Sequence, residues 1–61
     1  MDTSDSKAIL LVDDHKPFRD SLAKILQGEG FRVWPANDGE EALEILRHEF
    51  VNLVLTDLKM P

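Results

Sequence analysis

Two short apolar runs, each stopped by aspartate, restrict this chain more than any other feature. Ile9-Leu10-Leu11-Val12 leads into Asp13 and Asp14, and Leu53-Val54-Leu55-Thr56 leads into Asp57. Neither run alternates polar with apolar residues. That is the pattern of strands covered on both faces, as in a parallel sheet. Charged groups cost several kcal/mol to bury unpaired, so aspartates ending two such strands point to a shared polar site. In an open α/β sheet the carboxyl ends of the strands lie on one edge, which is where ligands bind. Three carboxylates converging there need a cation.

Between the runs the chain predicts strand, helix, strand, helix, strand. The first strand is Ala8–Val12. Asp14 is a candidate N-cap for the helix that follows, with Pro17 in its first turn, where a missing N–H costs little. Phe18, Leu22, Ile25 and Leu26 fall at i, i+4, i+7 and i+8 and predict a core-facing stripe. Lys16, Asp20 and Lys24 form an alternating-sign row on the outer face. Gly28 and Gly30 are stop signals, and Phe31 suits the hydrophobic contact of a glycine C-cap.

Phe31–Trp34 predicts a short edge strand closed by Pro35. Asn37 or Asp38 caps a second helix, with Glu40 and Glu41 in its first turn. Ala42, Leu43, Ile45 and Leu46 give that helix an apolar face ending near Phe50. The third strand is expected from about Asn52 to Thr56. Short connections make this a βαβαβ unit with parallel strands and right-handed crossovers.

Composition narrows the function classes. Sixty-one residues without cysteine make at most one small domain with no disulfide. The formal charge is −5, from 12 acids against 7 bases. Without Asp13, Asp14 and Asp57 the acids fall to 9 and the charge to −2, so most of the acidity is local to the proposed site. No basic patch suggests nucleic-acid contact, and no apolar run is long enough to span a bilayer. Residues 1–6 are polar and acidic, unlike a secretory signal, and are expected to form a disordered tail.

Three motifs carry a resemblance. Ile9-Leu10-Leu11-Val12-Asp13-Asp14, then Asp38-Gly39-x-Glu41-Ala42-Leu43, then Asp57-Leu58-Lys59-Met60-Pro61 are similar to the receiver domain of two-component response regulators. The resemblance runs from about Lys7 to Pro61. It implies a doubly wound, flavodoxin-like parallel sheet, of which residues 7–61 are the first half, truncated after strand 3, with strand order 2-1-3. It also implies a cytoplasmic phosphoacceptor switch rather than an enzyme. A sensor histidine kinase would pass its phosphoryl group to Asp57, and an output domain or partner, commonly transcriptional, would respond. Mg²⁺ is the implied cofactor. Asp14 would contact it directly, Asp13 through water or in support, and Asp57 and the backbone carbonyl of Lys59 would complete the protein ligands.

The family's second half adds a threonine or serine and a lysine to the site, and neither position falls within these residues. Lys59 is not that lysine, since it stands two residues after Asp57. The same lysine argues against a haloacid-dehalogenase type of phosphatase, which needs an acid there. No GxGxxG pattern supports a dinucleotide site. Thr56 reads as a strand-end residue, His15 as an exposed first-turn residue, His48 as structural, and Trp34 as an aromatic covering the sheet. Two alternatives stand beside the switch. One is a metal-dependent phosphotransfer enzyme. The other is a non-catalytic half-domain that self-associates, for which the apolar strand 3 edge offers a homodimer seam.

Overall fold

The computed structural model describes residues 7–56. The expected N-terminal tail, Asp57 and Lys59 lie outside the described residues. Five elements follow one another: β1 (Ala8–Val12), α1 (Lys16–Gly28), β2 (Arg32–Ala36), α2 (Gly39–His48) and β3 (Leu53–Thr56). The strands form one parallel sheet in the order β2-β1-β3. This is the expected half of a doubly wound architecture. The crossovers from β1 to β2 and from β2 to β3 run in opposite directions along the sheet, so right-handedness sends the two helices to opposite faces.

All five residues of β1 are buried. Leu10 and Val12 face α2 and form the core with Ala36 and Ala42, joined by Trp34, Ile45 and Val51. Ile9 and Leu11 face the α1 side, where Phe18, Leu22, Leu26 and Leu55 line open grooves against them. Both helices lie over β1 and β2, and neither backbone reaches β3. Leu53 and Val54 are consequently 51% and 46% exposed although their sequence is that of an inner strand. The start of β3 is pinned by a reciprocal pair: Asn52 N–H donates to the Ala8 carbonyl, and Ala8 N–H to Asn52 Oδ1, both at 2.8 Å.

Several expectations need correction. β2 does not close at Pro35 but runs through it to Ala36, opposite Val12. Arg32 donates its N–H to the Lys7 carbonyl just before β1, and Ala36 presents its carbonyl to Asp13 just after it. With a period of two, the nitrogen of Pro35 faces the open edge, where its missing hydrogen costs no ladder bond. The α1 stripe is not core: none of its residues is buried, and Phe18 and Ile25 are 53% and 62% exposed. On α2, Ala42 is buried and Ile45 half-buried, whereas Leu43 and Leu46 are exposed. In each case the helix packs on β1 and β2 alone, and the rest of its apolar stripe stays uncovered.

The helix ends explain where the chain turns. At the end of α1, Gly30 adopts φ +97, Phe31 N–H donates to the Leu26 carbonyl at 3.1 Å and Gly30 N–H to the Gln27 carbonyl at 3.0 Å. That pair of bonds is a Schellman closure, and Leu26 and Phe31 line one groove as its hydrophobic contact requires. At the start of α2, Asp38 is the N-cap and accepts Glu41 N–H at 2.9 Å. The Glu41 carboxylate reaches back to Asn37 N–H at 2.6 Å, which completes a variant of the capping box.

Candidate functional site at the carboxyl edge of the sheet

β1 ends at Val12, which pairs with Ala36 on one side and Thr56 on the other. Between β1 and β3 the chain connections part in opposite directions, which makes this the switch point of the sheet. Asp13 emerges here. It is 4% exposed, the single buried charged residue among the described residues. Its N–H donates to the Ala36 carbonyl at 3.0 Å and continues the β1–β2 ladder one step past the strand.

The Asp13 carboxylate is oriented locally. Oδ1 accepts His15 N–H at 2.8 Å, the bond of an Asx turn two residues long. The expected cap at Asp14 is therefore corrected. His15 occupies the N-cap position of α1 without a side-chain cap, and Pro17 fills the first turn. Asp13 takes over part of the capping task because its side chain lies inside the turn, which leaves Asp14 exposed at the edge. No cation is ion-paired with the Asp13 or Asp14 carboxylate among the described residues.

A cation fixed on the Asp13 backbone is Arg19, which sequence reasoning missed. Its Nη1 donates to the Asp13 carbonyl at 2.7 Å and to Asn37 Oδ1 at 3.3 Å. The available signal was its place five residues after Asp14, in the first turn of the helix that the pair introduces. Beside the site, Val12, Asp13, His15, Phe18, Leu22 and Thr56 line much of an open groove of about 480 Å³.

The other candidates are placed as follows. Thr56 ends β3, and Asp57 follows it in sequence but lies outside the described residues, as does Lys59. No cluster of three potential metal ligands occurs among the described residues. The donor set nevertheless suits a hard cation. Asp13 and Asp14 offer adjacent carboxylates at one edge, and Asp13 is buried without a cationic side chain on its carboxylate. His15 is exposed. His48 Nδ1 lies 2.9 Å from the Glu44 carbonyl and 3.4 Å from Glu44 Oε2, a structural role at the basic end of α2. Trp34 is half-buried against the core cluster rather than open as a platform. No helix among the described residues is long and apolar enough to cross a membrane.

Comparison with known proteins fits this arrangement. A family model of the response regulator receiver domain matches residues 9–61. The sensor histidine kinase RcsC of Salmonella typhimurium is 42% identical over 60 residues, covering 98% of this chain and 6% of the relative. The transcriptional regulatory protein CpxR of Escherichia coli is 45% identical over 53 residues, covering 87% of this chain and 22% of the relative. The chain thus spans a small part of these relatives. Among solved structures, the chemotaxis response regulator CheY4 of Vibrio cholerae matches with a TM-score of 0.85 and 32% identity, over 92% of this chain and 47% of that one. Parallel strands in the order 2-1-3, an acid pair at the end of β1 and these matches agree: the chain belongs to the response regulator receiver domain family.

Proposed function

We propose that this chain is the first half of a phosphoacceptor domain, in which Asp57 takes a phosphoryl group from a sensor histidine kinase in the cytoplasm. The observation that carries this reading is Asp13: a buried carboxylate at the switch point, one register step from Thr56, with no cationic side chain on it. Such a group is costly unless a cation completes it. Asp13, Asp14, Asp57 and the Lys59 carbonyl would hold Mg²⁺. When bound, Mg²⁺ offsets the negative charge on the phosphoryl oxygens.

The residues of the chain do the rest. An ionised aspartate needs no general base, so an Asp57 carboxylate oxygen forms the new O–P bond directly. The P–N bond of the donor phosphohistidine breaks, and its electron pair leaves on the imidazole nitrogen. Asp13, held by the His15 N–H, keeps the edge acidic and ordered before the cation arrives. The phosphorylated state would then alter contact with an output partner, such as a transcription factor domain.

Labelling the protein with an acyl phosphate and Mg²⁺ tests the assignment. In a domain that also carries the family's threonine or serine and lysine, one hydroxylamine-sensitive phosphoryl group is expected, lost in Asp57→Asn, whereas these residues alone should label poorly. Full labelling of that variant overturns the reading. A second reading, self-association as an interaction module, is favoured by the exposed Leu53 and Val54 on the uncovered β3 edge.

A further inference from the structure

We infer that Arg19 is a positioning residue for the acidic edge, holding the Asp13–Asp14 peptide in place while taking neither carboxylate from a divalent cation. The inference rests on the reading of that edge as a Mg²⁺ site. Its observation is a juxtaposition that the capping and core contacts do not require. Arg19 Nη1 carries two hydrogens and serves two acceptors, the Asp13 carbonyl at 2.7 Å and Asn37 Oδ1 at 3.3 Å. One guanidinium therefore ties the β1–α1 loop to the β2–α2 loop.

Its own position is fixed from below. Arg19 N–H closes the first turn of α1 on the His15 carbonyl at 2.9 Å. Asp13 in turn is held on its three other sides, by Ala36 through its N–H, by His15 through its carboxylate, and by the strand behind it. Arg19 Nε is buried without a partner among the described residues, a burial that an apolar side chain would avoid.

Which oxygen the guanidinium takes is the decisive point. A cation seated on the Asp13 carboxylate would occupy the atoms that a metal needs. Arg19 instead takes the carbonyl, so it places positive charge beside the acid pair without competing for the ligand oxygens. It also fixes the peptide plane from which Asp14 departs, and so the direction in which that exposed carboxylate can be offered. Groups that orient a metal ligand from behind change affinity by about 10- to 100-fold when removed.

The test is Mg²⁺ titration calorimetry on the wild-type protein and on Arg19→Ala, Arg19→Lys, Asn37→Ala and Asp14→Asn. Metal-free melting is recorded beside each titration. Arg19→Ala is expected to weaken Mg²⁺ binding by about tenfold. Arg19→Lys should recover part of that loss, because an ammonium can still donate to the Asp13 carbonyl. Wild-type affinity in folded Arg19→Ala, with only a lower metal-free melting point, overturns the inference and makes Arg19 structural. If Arg19→Ala does not fold, Arg19→Lys and Asn37→Ala decide. A partial loss in either supports the positioning role, and full affinity in both overturns it. Asp14→Asn separates this inference from the reading beneath it. Weakened binding there beside unchanged Arg19 variants refutes Arg19 alone. Wild-type affinity in Asp14→Asn, or no binding by the wild type, refutes the site and the inference together.

Discussion

Asp13 Oδ1 accepts the backbone N–H of His15 at 2.8 Å, so the carboxylate that ends β1 also shapes the entry to α1. One side chain thus links the strand end, the turn and the acidic edge. A group with two tasks can be dissected by substitutions that spare one of them.

Asp13→Asn keeps an acceptor oxygen and removes the charge, whereas Asp13→Ala removes both. The Asn variant is expected to be more stable than the Ala variant by about 1 kcal/mol, the net worth of one hydrogen bond. Without divalent metal it should match or exceed the wild type, because a buried unpaired charge is gone. Added Mg²⁺ should raise the urea midpoint of the wild type and not of Asp13→Asn. Urea unfolding with and without Mg²⁺ reads all three differences, and an Asn variant no better than Ala refutes the local bond.

Gly30 and Gly28 give a contrast in backbone energetics at one helix end. Gly30 sits at φ +97 and a Cβ there would meet nothing within 4 Å. The whole penalty of Gly30→Ala is conformational, and about 1–2 kcal/mol of stability should be lost. Gly28 is the last helical residue and is equally uncrowded. Gly28→Ala should therefore stabilise, by about 0.5–1 kcal/mol. Denaturant midpoints of opposite sign for the two alanines are the expected result.

On the outer face of α1, Lys16 Nζ bonds Asp20 Oδ2 at 2.6 Å, and this bond holds the Asp20 carboxyl below its ordinary value. The folded pKa is depressed, so the contribution to stability is present above the unfolded pKa. It is lost as pH falls through the folded one, below about pH 4. Lys16→Gln should move the Asp20 titration upward towards its ordinary value, as read from its side-chain carboxyl ¹³C shift. High salt should move it the same way, because both partners are exposed. An unchanged titration in Lys16→Gln removes Lys16 as the cause.

Much of this architecture was legible in the chain, because its signals are local. The bounds of β1, the glycine closure after α1 and a cap at Asn37 or Asp38 follow from residues within a few positions of one another, and the structure selects Asp38. Pro35 misled because tolerance of proline depends on which side of the strand faces the partner, a property of pairing rather than of the strand. The α1 stripe misled because periodicity shows which face is apolar and not what covers it. Arg19 was missed because its acceptors, Asp13 and Asn37, meet only once two loops converge, and its place after the acid pair does not name them. Asp13 and Asp14 stand just past the end of β1, as its bounds require, while Asp57 and Lys59 fall outside the described residues.

The last prediction concerns β3. Its backbone pairs with β1 on one side, no helix lies over it, and Leu53 and Val54 are half open to solvent. An apolar strand edge of this kind templates another strand. Two copies pairing β3 to β3 about a two-fold axis would extend the sheet to the order 2-1-3-3′-1′-2′, antiparallel at the seam. Val54→Lys should weaken that association by about tenfold, since each lysine would be brought near its symmetry mate across the seam. Sedimentation at micromolar concentration should show the wild type self-associating and the variant shifted towards monomer, with circular dichroism confirming that the variant keeps its secondary structure. The opposing outcome is a compact wild-type monomer that melts cooperatively. It would mean that β1, buried on both faces, stabilises this sheet without a partner for β3.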